Sequence, residues 1–254
     1  MKRICSGFVP AAVCAIAFSV AQPVSAAEIN VAVAANFTEA AKEISAAFEK
    51  KTGDKVLLSF GSSGQFYTQI TQDAPFQVFL SADQERPEKA VAEGFAVPDS
   101  RFTYAVGKLA LWSRDAKRVT GADTLKQGAF SKIAIANPAA APYGAAAIET
   151  MKALNVYDAL QPKIVQGNNI AQTFQFIDTG NAELGFVALS QVIERSEGSR
   201  WLVAGNLYAP IKQDAVLLKK GASNEAAKAF MSFLKGPEAA AIEAKFGYGT
   251  PESN

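Results

Sequence analysis

The sequence predicts an α/β fold built on parallel or mixed β-sheets. Short apolar runs with strand character alternate along the chain with segments whose apolar residues recur at helical spacing. No internal repeat, low-complexity tract or long linker interrupts this alternation. Such a pattern is typical of sheets with helices packed against their faces.

Each element is predicted from the local pattern of apolar and polar residues. In the first predicted helix, Ala41, Ile44 and Phe48 fall on one face. The predicted strands are Ile29–Ala34, Lys55–Phe60, Val78–Leu80, Leu109–Trp112, Ile133–Ile135, Gly185–Val187 and Ala215–Leu218. The predicted helices are Thr38–Lys51, Gln65–Gln72, Pro87–Glu93, Ala145–Leu154, Ala171–Thr179, Asn224–Leu234 and Pro237–Lys245.

Residues 1–26 are predicted to form a secretory signal peptide. Lys2 and Arg3 precede an apolar run that extends to Phe18, and small residues lead up to Ala26. The run is shorter than the roughly 20 residues that a membrane-spanning helix needs. We therefore expect export, cleavage after Ala26 and a soluble mature protein, and a retained anchor is the alternative.

The mature chain has neither thiols nor a large net charge. Cys5 and Cys14 both lie in the predicted leader, so no disulfide, cysteine nucleophile or thiolate metal site is expected in the remaining 228 of 254 residues. The leader also holds two of the 25 basic residues and none of the 24 acidic ones, which leaves a formal charge of −1. Nothing in this balance indicates a nucleic-acid partner.

The chain contains no histidine. This excludes a Ser-His-Asp triad and removes the commonest metal ligand. A Gly-x-Ser-x-Gly segment is also absent. The sequence therefore predicts a binding protein without a cofactor or a direct metal ligand, and a hydrolase based on Ser-Lys or paired carboxylates is the enzyme alternative.

Four polar or glycine-rich junctions, each leading into a predicted helix, are the candidate binding segments. In open α/β sheets, ligands gather at the ends of strands, and the free amides of a helix start carry a partial positive field. At any single junction an ordinary N-cap is the alternative, but four in one chain favour a site. They are Ala34–Thr38, Phe60–Gln65, Asn137–Gly144 and Gln166–Ile170.

None of the four junctions contains Lys or Arg, so an anion there would be held by neutral donors. Hydrogen bonds to charged groups contribute roughly 1.5–3 kcal/mol each. About four of them approach the roughly 8 kcal/mol of a micromolar complex, before the costs of ordering and desolvation. Because such donors cannot accept a hydrogen bond, the hydroxyl of a protonated ligand would have no partner. The site therefore favours a fully ionised dianion over hydrogen phosphate.

Several segments resemble the periplasmic molybdate-binding proteins of ABC importers, over essentially the whole mature length. They are Ala34–Phe37, Phe60–Gly64, Ala74–Asp83, Asn137-Pro138 with Pro142–Gly144, Leu184–Val187 and Phe233–Pro237. The resemblance implies a two-lobe type II binding-protein fold with the ligand in the interlobe cleft. Lobe one would comprise residues 27–107 and 212–254, and lobe two residues 108–211.

The same resemblance implies a monomer that binds molybdate or tungstate and delivers it to a membrane permease. The family's oxyanion ligands correspond to Ala35 or Asn36, Ser63, Tyr143 and Ile170, the last two through backbone amides.

The chain departs from the family pattern at two of its positions. Many members have serine where Asn36 stands. Many also have a ligand-binding tyrosine two residues after the valine of a Gly-Val or Gly-Ile-Val segment, where this chain has Ala188 after Val187. Asn36 or Tyr143 could supply the missing donor, and our hypothesis is that Asn36 does.

Three alternatives stay open at the level of sequence. One is a binding protein for another solute: sulfate, phosphate, ferric ion or an organic acid. A ferric site would need clustered tyrosines and carboxylates, whereas the six tyrosines are scattered along the chain. The others are an enzyme on the same two-lobe fold and a sensory module whose closed form docks on a receptor.

Overall fold

Residues 26–250 are described by a computed structural model. The predicted leader, apart from Ala26, lies outside the described residues. Two five-stranded mixed sheets form the framework. In spatial order the first contains β2 (Lys55–Gly61), β1 (Glu28–Ala34), β3 (Val78–Leu80), β10 (Ile211–Leu217) and β4 (Phe102–Gly107). The second contains β7 (Ile164–Gly167), β6 (Ile133–Ala136), β8 (Leu184–Ala188), β5 (Leu109–Ser113) and β9 (Ser199–Leu202).

The two sheets share one pairing plan. In the first sheet β1 pairs in parallel with β2 and β3, and β10 runs antiparallel to β3 and β4. In the second sheet β6 pairs in parallel with β7 and β8, and β5 runs antiparallel to β8 and β9. Parallel strands require crossover helices, and these helices begin where the parallel strands end. Each sheet therefore places several helix starts along one edge.

Ten α-helices flank the sheets within the described residues. Those on the first sheet are α1 (Thr38–Thr52), α2 (Ser63–Thr71), α3 (Glu85–Ala92), α9 (Glu225–Leu234) and α10 (Pro237–Lys245). Those on the second are α4 (Asp123–Gln127), α5 (Pro142–Ala153), α6 (Tyr157–Leu160), α7 (Ile170–Asp178) and α8 (Leu189–Val192). We call the first sheet with its helices the first half of the molecule and the second sheet with its helices the second half.

Each half has its own apolar core. The predicted face of α1 is buried in the first half, where Phe48 meets Phe230 edge to face at a centroid distance of 5.2 Å. Trp112 on β5 is buried in the second half against Phe174. Within residues 26–250, no helix is long and apolar enough to cross a bilayer.

The chain passes between the halves twice. One passage is the short step from β4 to β5 at Gly107–Leu109, and the other is the segment between β9 and β10. Gly107 lies against the second half, because a Cβ at this position would approach the hydroxyl of Tyr143 to 2.2 Å.

All seven predicted strands and all seven predicted helices are present, with bounds shifted by a few residues. The sequence analysis missed β4, β7 and β9 and the short helices α4, α6 and α8. The residues of β7 and β9 are largely half-exposed or exposed, so neither strand shows a continuous apolar run. Helices of four or five residues are too short for an apolar period to appear.

Candidate functional site

Segments from all four predicted junctions meet at one small cavity between the two halves. The cavity has a volume of about 10 Å³, which is roughly the space that one water molecule needs. The two halves are therefore nearly in contact here. Its lining residues are Ala34, Ala35, Asn36, Gly61, Ser62, Ser63 and Ala82 from the first half, and Ala141, Pro142, Tyr143 and Ile170 from the second.

Several helix starts border this cavity. Helix α2 begins at Ser63, α5 at Pro142 and α7 at Ile170, while the 3₁₀ turn Ala35–Phe37 leads into α1. Amides in a first helical turn have no acceptor within their own helix. In the part of the chain that the structure describes, no carbonyl outside these helices accepts from the amides of Ser63, Tyr143 or Ile170. These amides are available to an anion, which the helix fields also attract.

Two adjacent serines have different roles. Ser62 is the N-cap of α2, where its hydroxyl accepts from the amide of Gln65 at 3.4 Å and the Gln65 side chain accepts from the amide of Ser62. The hydroxyl of Ser63 accepts from the amide of Ala82 at 2.9 Å. Since its lone pair is engaged in this way, Ser63 keeps its own proton for a ligand oxygen.

The side chain of Asn36 is engaged inside the protein. Its Nδ2 donates to Gln213 Oε1 at 2.8 Å and to Tyr248 Oη at 3.2 Å. The backbone carbonyl of Asn36 accepts from Tyr248 Oη at 2.6 Å and from Ser190 Oγ at 2.8 Å. Both Nδ2 protons of Asn36 are thus engaged within the protein. That Asn36 replaces the family's tyrosine hydroxyl stays a prediction.

Tyr143 is also held from behind the cavity. Its hydroxyl accepts from Gln213 Nε2 at 3.3 Å, and burial raises the pKa of this hydroxyl well above its usual range. The phenol therefore stays protonated. A fixed side chain orients the start of α5 and leaves the backbone amide of Tyr143 at the cavity wall.

Gln213 is the centre of this supporting network, and the sequence analysis did not single it out. Its Oε1 accepts from Tyr104 Oη at 3.0 Å as well as from Asn36. It lies at an irregularity in the pairing of β10 with β4, between Gln213 and Asp214. The sequence offered no signal for this role, because Gln213 precedes the predicted strand Ala215–Leu218 and acquires its partners only on folding.

The cavity wall carries no charged side chain. All eleven lining residues are neutral, so a bound anion would be met by amides, hydroxyls and helix fields. Among residues 26–250 no cluster of acidic side chains could hold a metal ion. Chemically, this arrangement can bind a small anion.

The structure brings the five predicted site residues together. Ala35, Asn36, Ser63, Tyr143 and Ile170 all line the cavity. The rest of the fourth junction lies outside it, where the Asn169 side chain caps α7 by accepting from the amide of Gln172 at 2.9 Å. Ala188 is buried at the end of β8 and does not line the cavity.

Comparison with known families decides the class of protein. Residues 29–249 match the family described as bacterial extracellular solute-binding protein. The chain belongs to this family. The match covers both sheets and all four junctions, so it includes every residue of the candidate site.

Individual relatives show which members of this family the chain is similar to. The chain is 59% identical to the molybdate-binding protein ModA of Rhodobacter capsulatus over 236 residues, which are 93% of this chain and 94% of the relative. It is 54% identical to the Azotobacter vinelandii ModA over 228 residues, 88% of this chain and 90% of that protein. These matches confirm the predicted resemblance. Both relatives are named as binding proteins, in agreement with the prediction that the chain is not an enzyme.

Solved structures support the same fold. The periplasmic molybdate-binding protein of Azotobacter vinelandii superposes with a TM-score of 0.86 at 43% identity, covering 88% of this chain and all of that one. The sulfate-binding protein SubI of Mycobacterium tuberculosis superposes with a TM-score of 0.74 at 12% identity, covering 89% and 88%. The second match shows only the fold. The predicted α/β binding-protein fold is confirmed.

Proposed function

We propose that the mature protein captures molybdate, and also tungstate, between its two halves and delivers it to the membrane permease of an ABC importer. The observation that carries this proposal is the cavity where uncharged donors from both halves converge. The two relatives that share more than half of its residues are molybdate-binding proteins by name. Together these findings support molybdate over the other solutes considered above.

In this proposal the oxyanion is held by donors from opposite sides. The first half supplies the hydroxyl of Ser63 and the backbone amides of Ala35, Asn36 and Ser63. The second half supplies the amides of Tyr143 and Ile170. Because all these groups donate and none carries a charge, a dianion would satisfy them and a protonated anion would leave its hydroxyl without an acceptor.

The two halves would act as lobes, residues 27–107 with 212–254 and residues 108–211. The oxyanion would meet one lobe first, and rotation about the two chain passages would then bring in the donors of the other. Closure of this kind is a common hinge transition in binding proteins. The permease would receive the closed form, and the protein would act as a monomer.

Export is part of the same proposal. The family is extracellular by description, and the leader predicted in residues 1–26 would direct the chain to the periplasm, with cleavage after Ala26.

Calorimetric titration of residues 27–254 tests the function directly. Molybdate, tungstate, sulfate and phosphate are titrated at neutral pH. We expect one-to-one binding of molybdate and tungstate with a dissociation constant of about 1 µM or lower, as at least four hydrogen bonds to a charged ligand allow, and no binding of phosphate. Heat with sulfate alone would point to the alternative anion, and silence toward molybdate would refute the proposal.

A further inference from the structure

Several hydrogen bonds connect the halves behind the cavity, including those from Ser190 to Asn36 and from Gln213 to Tyr143. Two more lie beside the cavity at the Ala139–Ala140 turn, and neither involves a predicted ligand-binding residue. Arg86 Nη2 on α3 donates to the carbonyl of Ala139 at 2.9 Å. The amide of Gly64 donates to the carbonyl of Ala140 at 2.9 Å. Arg86 and Gly64 belong to the first half, and the Ala139–Ala140 turn belongs to the second. We call these two contacts the Arg86 clasp.

The clasp is adjacent to donors on both sides. Gly64 directly follows Ser63, and the Ala139–Ala140 turn shortly precedes Tyr143. Separation of the two halves would break both hydrogen bonds and would withdraw the second set of amides from the cavity. The clasp therefore reports and stabilises the same closed arrangement that a ligand needs.

The guanidinium of Arg86 is fixed in place by Asp83. The carboxylate of Asp83 accepts from the backbone amide of Arg86 at 2.9 Å and forms an ion pair with its guanidinium. Both side chains are less than one-fifth exposed. Because arginine is immobilised before the halves meet, its hydrogen bond to Ala139 has a smaller entropic cost than that of a free side chain.

Glycine at position 64 allows its backbone to approach that of Ala140 closely. A Cβ there would lie 3.0 Å from the Cα of Ala140 and 3.2 Å from Nη2 of Arg86. Both neighbours belong to the clasp, so even one methyl group at this position would push its two sides apart.

The clasp also lies between two surface openings. A cavity of about 550 Å³ lies on one side of Arg86 and Ala139, and a cavity of about 380 Å³ lies on the other. Arg86 and Ala139 line both of them. The bridge thus crosses what would otherwise be a wider opening between the halves.

We propose that Arg86 is a positioning residue that holds the two halves closed and thereby sets the rate at which the bound oxyanion is released. This inference rests on the proposed function, since it assigns a residue that regulates release from that site. The clasp forms only after the halves meet, and Arg86 does not line the oxyanion cavity. Loss of the clasp should therefore accelerate release and leave the association rate nearly unchanged.

The test compares Arg86→Ala with Lys89→Ala in residues 27–254. Lys89 lies on the same helix and carries the same charge, but its Nζ pairs at 2.6 Å with Glu85 of that helix. Protein loaded with isotopically labelled molybdate is chased with unlabelled molybdate, and release is followed over time. For a partly exposed hydrogen bond from a charged donor, we expect about tenfold faster release from Arg86→Ala and unchanged release from Lys89→Ala. Equal release rates for the two variants would overturn the proposal.

Gly64→Ala disturbs the second hydrogen bond of the clasp, from Gly64 to Ala140, while every existing side chain is kept. It should also accelerate release, even if Arg86→Ala folds poorly. Association rates should agree within about twofold among all variants. A variant whose association slows as much as its release accelerates would indicate a damaged binding surface and would contradict the clasp.

A second readout separates failure of the clasp from failure of the proposed function. If the parent protein does not retain molybdate, the proposed function fails. The clasp is then decided by spin-label distances between Gln69→Cys and Ala153→Cys, which can be labelled selectively because the only cysteines of the chain are Cys5 and Cys14. We expect a longer mean distance with Arg86→Ala than with Lys89→Ala, and identical distributions would overturn the clasp.

Discussion

At the scale of single residues, Glu243 is a buried carboxyl group with an unsatisfied oxygen. Its Oε1 is buried without a hydrogen-bond partner among residues 26–250. Burial raises the pKa of this carboxyl to about 8. The folded protein therefore binds a proton at neutral pH that the unfolded chain, with an ordinary glutamate, releases.

The sign of the resulting pH dependence follows from this difference in pKa. Below the unfolded pKa of about 4.5 both states are protonated, and Glu243 costs little. Stability decreases as pH rises from there to about 8, because the unfolded state then binds fewer protons than the native state. Above about pH 8 the free energy of unfolding no longer decreases on account of Glu243.

Glu243→Gln should remove this loss, because glutamine cannot ionise. We expect the variant to gain on the order of 1–4 kcal/mol in unfolding free energy at pH 8 relative to pH 5, at about 1.4 kcal/mol per pKa unit. Denaturant unfolding of residues 27–254 at both pH values measures the gain. Glu238→Gln, which changes an exposed glutamate of the same helix, should retain the parental pH dependence. An unchanged pH slope in Glu243→Gln would contradict the assignment.

The site residues differ in how far the sequence could predict them. The polar junctions that contain Ser63, Tyr143 and Ile170 were predictable from the local pattern, and the family resemblance indicated these individual residues. The network behind them was not, because Gln213 and Tyr248 meet Asn36 only after the chain has folded. For Asn36 the sequence indicated a candidate position, but it did not show that the side-chain amide is engaged within the protein.

At the scale of elements, the main anion-binding feature is the helix start that follows a strand. Such a start needs no charged side chain to attract an anion, since its free amides and its dipole suffice. Long elements with clear periodicity were predictable, whereas their first residues were predicted only to within a few positions. The short half-exposed strands β7 and β9 were not, because they complete a sheet through pairing that no local pattern encodes.

Helix α7 allows a test of one backbone donor. Ile170 is its first residue, and the preceding Asn169 is extended (φ −151°, ψ 175°). Proline is well tolerated at the first helical position after an extended residue, and it lacks an amide proton. Ile170→Pro should therefore delete a single donor while the helix is retained.

The matched control is Ile170→Ala, which loses the same buried side chain and keeps the amide. We expect molybdate affinity of Ile170→Pro to be lower than that of Ile170→Ala by about tenfold or more, the contribution of one hydrogen bond to an anion. Calorimetry measures the affinities, and circular dichroism checks the helix content. Equal affinities for the two variants would exclude the Ile170 amide as a ligand.

At the scale of the whole molecule, two sheets with the same pairing plan face each other across the candidate site. Each half has its own core, and a further apolar cluster joins Ala34, Ala35 and Ala82 of the first half to residues of the second. Within residues 26–250 the chain connects the halves at two passages. Relative motion of the halves is thus the expected response to a ligand that bridges them. The alternating pattern predicted the α/β class, whereas the division into two sheets came from the family resemblance, because a local pattern does not determine which strands pair.

The central claim is that a molybdate ion lies between the halves and is held by neutral donors. A crystal structure of residues 27–254 grown with molybdate, with molybdenum located by its anomalous scattering, tests this claim most directly. We predict one strong peak in the cavity, with oxygens within about 3 Å of the Ser63 hydroxyl and the amides of Tyr143 and Ile170. A peak elsewhere, or one contacted mainly by Lys or Arg side chains, would contradict the account.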